Sequence, residues 1–152
     1  MQQEKGEDAN SDPIRKFAAE RSHQDSRTSN EYGRAAGQAM LLLNGGAGSA
    51  VVALANKDEI TPALLNAFPL ILTGYGLGVL FAAFMIYFMT RALDDWNVYW
   101  LTWIDTSRIE ERDKVRFSAR RFWRSANVCF FGAAVAFVFA TVSVGLAIRP
   151  EN

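Results

Sequence analysis

Three long segments without Asp, Glu, Lys or Arg constrain this chain more than any other feature. They are residues 35–56, 60–90 and 125–148, which are 22, 31 and 24 residues long. A helix of about 20 residues crosses the roughly 30 Å hydrocarbon layer of a bilayer. A soluble fold of 152 residues has too little polar sequence to cover three such helices. The sequence therefore predicts an all-α integral membrane protein with three transmembrane helices, at about residues 35–55, 63–91 and 126–148.

The positions of the basic residues predict the orientation of these helices. Six Lys and Arg residues precede the first span and eight lie in the segment 91–124, whereas the other side holds only Lys57 and Arg149. Lys and Arg accumulate on the cytoplasmic side of bacterial inner-membrane proteins. We therefore expect a cytoplasmic N-terminus and a periplasmic C-terminus in the bacterial inner membrane. The tail that precedes the first span lacks the apolar core of a secretory signal, so this span is expected to be retained.

Residues 1–34 are predicted to form a cytoplasmic tail, followed by a transmembrane domain from residue 35 to the C-terminus. The first eleven residues are polar, and we expect them to be disordered. Asp12 followed by Pro13 has the form of a helix start. Ile14 and Phe17 give the short amphipathic helix that follows an apolar face, which makes it a candidate gating helix that rests on the membrane or on a neighbouring subunit.

Two further helix starts are indicated by capping boxes. Thr28 with Glu31 is expected to begin the first transmembrane helix, and Ser107 with Glu110 is expected to begin the helix that leads into the third. The second apolar segment is too long for a perpendicular span, so its helix must tilt or project into the cytoplasm. Arg91 at its end can pair with Asp95 one turn later. The cytoplasmic segment 92–125 is therefore predicted to form a helical hairpin between spans 2 and 3.

Four aromatic residues follow the second span at spacings of three and four, which places them along one helical face. Aromatic rings with a polar edge concentrate at the headgroup level of a bilayer. We therefore expect them to mark the cytoplasmic interface. The four residues are Trp96, Tyr99, Trp100 and Trp103.

Four arginines recur at four-residue intervals in the second half of the hairpin. They are Arg112, Arg116, Arg120 and Arg124. Because like charges one turn apart repel, such a stripe indicates an anionic partner. The alternatives are lipid phosphate at the cytoplasmic face, a soluble nucleotide or oligonucleotide, and acidic residues of another subunit or protein.

Polar and small residues within the spans are candidates for pore lining or helix packing. The first span carries Gln38, Asn44, Gly45 and Ser49. Asn44 is unfavourable facing lipid, so it is interpreted either as a polar contact between helices or as a pore-lining residue. Three sets of small residues at four-residue spacing predict packing faces. These sets are Gly45, Ser49 and Ala53; Gly74 and Gly78; and Gly132, Ala136 and Ala140.

Several kinds of chemistry are disfavoured by the sequence. His23 is the only histidine and Cys129 the only cysteine, so we expect no metal site and no intrachain disulfide. No nucleophile motif or phosphate-binding loop is present, and we expect no enzyme and no cofactor. Residues 73–76, Thr-Gly-Tyr-Gly, are similar to a potassium-channel filter, but the apolar run after them is too short for a further span. We interpret Gly74 and Gly78 as packing residues instead.

The stretch Leu41 to Ala55, LLLNGGAGSAVVALA, resembles the first span of small "LNGGA"-type bacterial membrane proteins, some of which accompany anti-phage defence enzymes. The resemblance covers this stretch alone. It implies a membrane effector, most similar in size and layout to the oligomeric ion channels of Hailong-type defence. Those channels respond to an oligonucleotide made by a partner enzyme. No ligand residue is carried over to this chain.

Two functional hypotheses follow. The first is a homo-oligomeric ion channel held shut by its cytoplasmic elements, since three helices from one chain fill their own centre and a pore needs several subunits. The number of subunits is left open, a tetramer included. The second is a non-conducting anchor or adaptor that recruits a cytoplasmic partner through the basic hairpin.

Overall fold

The computed structural model describes residues 13–55, 61–104 and 106–148. The described chain forms helix α1 (Pro13–Ala55), helix α2 (Pro62–Ile104), a 3-10 turn (Thr106–Glu111) and helix α3 (Arg112–Ile148). All three helices are long and apolar enough to cross a membrane. The predicted all-α class with three such helices is confirmed to that extent. The expected disorder of the first eleven residues lies outside the described residues.

Helix α1 runs without a break through the position where two helices were predicted. The expectation of a separate short helix, and of a new start at Thr28, is wrong. No Gly or Pro stands between Pro13 and Gly33 to interrupt the backbone. Packing also stabilises this part of the helix, because Ala18 is buried and the ring of Phe17 contacts α2. The side chain of Ile14 lies outside the described residues.

Helix α2 begins as the sequence predicts and continues well past the second apolar segment. The Thr61 hydroxyl accepts a hydrogen bond from the backbone N–H of Leu64 at 3.3 Å, which is an N-cap contact just before Pro62. The same hydroxyl donates to the carbonyl of Ala147 at 3.4 Å. This bond ties the start of α2 to the end of α3.

The helical hairpin predicted between the second and third apolar segments is present, but its second arm begins later than expected. The α-helix starts at Arg112 instead of Ser107. Residues 106–111 form a 3-10 turn in which Arg108 has φ −101° and ψ 17°. Arg108 also pairs with Glu111, with 3.4 Å between Nε and Oε2. The non-helical backbone at Arg108 keeps the turn from merging with α3.

Helix α2 lies between the other two helices. Helices α1 and α3 each pack along it and touch each other little. Two buried clusters mark this packing, one around Val51, Ile71, Tyr75 and Ala140 and one around Met85 and Cys129. Many large apolar side chains of all three helices remain exposed on the outside, among them Leu42, Leu65, Leu80, Phe131, Val135 and Leu146.

Candidate functional site

The three apolar segments end at nearly the same height along the bundle. Gly33 of α1 packs against the side chain of Met89 in α2. Phe88 stacks on Phe122 of α3 with ring centroids 6.1 Å apart, and the guanidinium of Arg91 lies 5.9 Å from the same Phe122 centroid. Beyond this height the helices continue as a charged end of the bundle, formed by residues 13–34, 92–104 and 106–124.

The four predicted interfacial aromatics all lie in the charged end, where they contact one another. The Tyr99 ring is central, with centroids of Trp96, Trp100 and Trp103 at 5.4, 5.3 and 6.4 Å. All four side chains are half-buried. They therefore pack as an aromatic cluster within the hairpin arm of α2. Their placement at a bilayer interface stays a prediction.

Phe17, the proposed gating residue, reaches this cluster from α1. Its ring meets Trp100 edge to face with 6.5 Å between centroids, and Arg21 lies over the outer side of the Phe17 ring at 5.7 Å. Phe17 still keeps 55% of its surface exposed. The contact joins the N-terminal third of α1 to the cluster and buries less than half of the Phe17 surface.

Three buried polar atoms in and near the aromatic cluster have no hydrogen-bond partner within the described part of the chain. They are Oδ2 of Asp95 and the indole Nε1 atoms of Trp100 and Trp103. The expected pair between Arg91 and Asp95 does not form, because the Arg91 guanidinium lies over Phe122 instead. Uncompensated buried polar atoms weaken a packed region. These three atoms therefore weaken the packing of the charged end locally.

The four arginines of the predicted stripe do not share one environment. Arg112 is half-buried and donates two hydrogen bonds to Thr102, from Nε to the hydroxyl at 3.3 Å and from Nη2 to the carbonyl at 3.0 Å. Its guanidinium also lies 3.9 Å from the centroid of Trp103. Arg116, Arg120 and Arg124 are exposed. Arg112 therefore stabilises the hairpin by binding α2. The exposed Arg116, Arg120 and Arg124 can bind a partner.

Helix geometry explains this division. Four residues turn an α-helix by about 400°, which is about 40° more than one full turn. From Arg112 to Arg124 the side chains therefore rotate by about 120° around α3. The predicted straight stripe is in fact a spiral that begins against α2 and ends on the outer side of α3.

The outer end of this spiral opens into a groove of about 580 Å³ between α3 and α2. Phe88 of α2 forms one wall. The α3 residues that line it are Phe117, Arg120, Arg121, Arg124, Ser125, Val128 and Cys129. The sequence prediction missed Phe88 and the convergence of Arg121 with the stripe arginines. A sequence signal for this groove was available. Four of its α3 residues recur at steps of four, three and four, namely Phe117, Arg121, Arg124 and Val128.

Asn44 is a fully buried polar residue of α1, with 0% exposure. It packs directly against Gly78 of α2, and its Nδ2 donates to the carbonyl of Met40 at 2.9 Å. Its Oδ1 is buried without a partner. Of the two interpretations, the contact between helices agrees with this position. Pore lining by Asn44 does not, because α2 covers the side chain.

The other three candidates of the first span lie differently. Gln38 and Ser49 are exposed and Gly45 is half-buried. The Ser49 hydroxyl donates to the carbonyl of Gly45 at 2.9 Å. The α1–α2 contact uses a different set of small residues, since Gly33, Gly37 and Gly48 face α2 side chains. The face with Gln38, Gly45 and Ser49 is thus left largely uncovered by this chain.

The packing faces predicted for α2 and α3 are confirmed. A Cβ added at Gly74 would lie 3.0 Å from Cβ of Ala140, and one added at Gly132 would lie 3.2 Å from the Phe81 ring. Gly78 faces α1 instead of α3. The Tyr75 and Thr141 hydroxyls are 3.1 Å apart, which places a polar contact inside the α2–α3 interface.

Residues 73–76, which are similar to a potassium filter, are helical throughout. Thr73 bonds back to the carbonyl of Pro69 at 2.7 Å and Tyr75 is buried. A filter needs extended backbone with free carbonyls, so this segment is a packing helix. Across the described residues, no group of three or more His, Cys, Asp or Glu side chains could hold a metal ion.

Comparisons with protein-family models, with curated proteins and with solved structures find no match to this chain.

Proposed function

We propose that this chain is a multi-pass protein of the bacterial inner membrane, with a cytoplasmic N-terminus and a periplasmic C-terminus, and that it assembles into a homo-oligomeric ion channel. The large apolar side chains exposed on all three helices support membrane insertion, because an extensive apolar surface is unfavourable in water. The charged end, which holds the basic residues of α1 and of the hairpin, then faces the cytoplasm.

The uncovered polar face of α1 is the observation that carries the channel proposal. Gln38, Gly45 and Ser49 are seven and four residues apart, and at about 100° per residue they lie within about 40° of one another around the helix. Gln38 and Ser49 are exposed. A primary amide facing hydrocarbon is unfavourable, and the Ser49 hydroxyl, which already donates to the Gly45 carbonyl, still has free acceptor capacity. Copies of α1 around a symmetry axis would give these groups water or one another as partners.

The position of α2 supports the proposal that conduction needs several subunits. It occupies the centre between α1 and α3, where side chains such as Ile71 and Ala82 are fully buried. A water path therefore requires several subunits. In such an assembly α1 faces the axis and α3 lies toward the lipid.

The unbroken course of α1 supports a gating role for its cytoplasmic third. A helix that is continuous from Phe17 to Ser49 transmits a displacement at one end to the other. The contact of Phe17 with Trp100 would hold the cytoplasmic third against the hairpin in the closed state. Breaking this small contact would free α1 to move.

The proposed physiological role is that of a membrane effector in anti-phage defence, which depolarises the host cell when triggered. Its support is the resemblance of Leu41–Ala55 to "LNGGA"-type proteins. A nucleotide or oligonucleotide from a partner enzyme is the proposed trigger.

Current recordings with single-cysteine variants test the channel. Cys129 is first replaced by Ala, and Gln38→Cys and Ser49→Cys are introduced one at a time. The purified protein in planar bilayers is expected to conduct ions, alone or after nucleotides or short oligonucleotides are added. A water-soluble cationic thiol reagent should then block both variants, because their thiols line the water path.

Val135→Cys is the matched control, since Val135 is an exposed residue of α3 on the proposed lipid side. Its current should be unaffected by the reagent. If correctly inserted protein passes no current under any of these conditions, the channel proposal is wrong.

A second candidate is a non-conducting adaptor that recruits a cytoplasmic partner. It is favoured by the exposed Arg116, Arg120, Arg121 and Arg124, for which no ion pair is found among the described side chains. Affinity purification after chemical crosslinking should then retain one partner in stoichiometric amount. Charge reversal at Arg116 and Arg120 should release that partner while leaving membrane insertion intact.

A further inference from the structure

The groove beside Phe88 combines a cationic end with an apolar end. We propose that it is a binding site for an anionic phospholipid of the cytoplasmic leaflet. Arg120, Arg121 and Arg124 hold the headgroup phosphate. One acyl chain runs along the outer side of α3. This assignment does not depend on whether the protein conducts ions.

The cationic end requires an anion. Three guanidinium groups lie within five consecutive residues and line the same groove. The acidic residues of the α3 arm, Glu110, Glu111 and Asp113, lie about two turns or more away at the hairpin turn, and Glu111 already pairs with Arg108. Guanidinium groups bind phosphate through paired N–H donors. A phosphate in the groove would therefore relieve their mutual repulsion.

The apolar end continues the groove along the helix. Val128 lies one turn beyond Arg124 and lines the groove with Phe88. Below it, the outer face of α3 is an unbroken apolar ridge of exposed side chains. The ridge comprises Phe131, Val135, Val138, Phe139, Val142 and Leu146. A ligand that fits both ends needs a phosphate and a long hydrocarbon chain, which is the chemistry of a phospholipid.

The spiral of the arginines favours a single headgroup over a soluble chain of phosphates. A straight row of cations along α3 would match the successive phosphates of an oligonucleotide, but Arg112 is turned inward to Thr102. Arg116 is exposed and does not line the groove. The three arginines of the groove converge on one place, where the apolar segment of α3 begins.

The height of the groove agrees with this occupant. Arg124 is the last charged residue before the apolar segment 125–148, so its guanidinium lies at the edge of the proposed hydrocarbon layer. A helical rise of about 1.5 Å per residue places Arg120 and Arg121 about 5 Å farther out. This is within the headgroup layer, which is roughly 5–7 Å thick on each side.

Native mass spectrometry of the full chain tests the proposal. The protein is released from detergent with phosphatidylglycerol and phosphatidylcholine at equal concentration, and the bound lipid is counted. We expect preferential retention of phosphatidylglycerol. The double variant Arg121→Gln/Arg124→Gln should bind it about tenfold or more weakly, since each basic residue near a membrane surface contributes about 1 kcal/mol.

Arg116→Gln/Arg108→Gln is the matched control, because it removes the same charge from the same hairpin outside the groove. Its affinity for phosphatidylglycerol should stay within about twofold of the unmodified chain. Equal losses in both double variants would overturn the proposal, since they would indicate a general charge effect.

Soluble competitors separate the lipid from other sources of phosphate. Inorganic phosphate, glycerophosphoglycerol and a short oligonucleotide are each added to the complex with phosphatidylglycerol. None should displace the lipid, because none supplies the acyl chain. Displacement by any of them, or equal retention of phosphatidylcholine, would overturn the assignment. Channel recordings are a separate readout, so failure of either proposal leaves the other testable.

Discussion

Arg112 and Thr102 hold the two arms of the hairpin together through two hydrogen bonds, one to the Thr102 hydroxyl and one to its carbonyl. The carbonyl lies in the last turn of α2, where backbone acceptors lack helical partners. A cation at that place also complements the helix dipole. Stacking of Arg112 over Trp103 at 3.9 Å fixes the guanidinium in this position. Arg112, the first residue of α3, therefore connects the two arms of the hairpin.

Arg112→Gln is expected to destabilise the hairpin by about 1–2 kcal/mol, because it removes two hydrogen bonds from a charged donor and a cation–π contact at a half-exposed site. Arg116→Gln is the control and should change stability by less than about 0.5 kcal/mol. Reversible unfolding in mixed detergent micelles, followed by tryptophan fluorescence, measures both. Equal effects of the two substitutions would show that Arg112 acts only through its charge.

Gly78→Ala is expected to disturb the α1–α2 contact. A Cβ at Gly78 would overlap the side chain of Asn44, which is fully buried and has little room to rotate away. Overpacking of this kind costs about 1–3 kcal/mol. Gly76 lies on the same helix with nothing within 4 Å of an added Cβ, so Gly76→Ala should be tolerated.

Thermal unfolding in detergent measures this pair of variants. A second measurement, the double variant Asn44→Ala/Gly78→Ala, should recover much of the stability that Gly78→Ala loses, because it removes the overlapping amide. If Gly78→Ala is as stable as Gly76→Ala, then Asn44 does not pack against Gly78 as described.

Phe17→Ala is expected to loosen the N-terminal third of α1, residues 13–34. The edge-to-face contact with Trp100 is worth about 0.5–1.5 kcal/mol beyond the area it buries. Amide hydrogen exchange in residues 13–34 should therefore accelerate, while exchange in residues 35–55 stays unchanged. Lys16→Ala, at an exposed neighbouring position, is the control. Acceleration across the whole of α1 would instead indicate that Phe17 stabilises the entire bundle.

The same variant bears on the proposed gate. If the contact between Phe17 and Trp100 holds the channel closed, Phe17→Ala should raise the basal current and Lys16→Ala should not. If Phe17→Ala loosens the helix without raising the basal current, the contact between Phe17 and Trp100 stabilises the structure but does not hold the channel closed.

The sequence determined the number of long apolar helices. The absence of charged residues from three segments is a property of the sequence and does not depend on which helices pack together. The sequence also predicted the start of the second helix at about residue 63, close to the observed Pro62, and the packing faces around Gly74 and Gly132. The periodicity of small residues along a helix is a local property, so these faces are readable without neighbours. The hairpin between the second and third apolar segments was also predicted, although its second arm begins at Arg112 instead of Ser107.

Tertiary structure decided the features that depend on which face of a helix meets another. It made α1 continuous where a capping box suggested a break, because packing of Phe17 and Ala18 stabilises the helix across that point. It buried Asn44 against Gly78 and left Gln38 and Ser49 uncovered. It also divided the arginine stripe, since a rotation of about 40° every four residues turns Arg112 toward Thr102 and leaves Arg124 exposed at the groove on the outer side of α3. Spacing along the chain fixes how side chains are arranged around one helix, but the direction in which that helix faces is set only by contacts with the others.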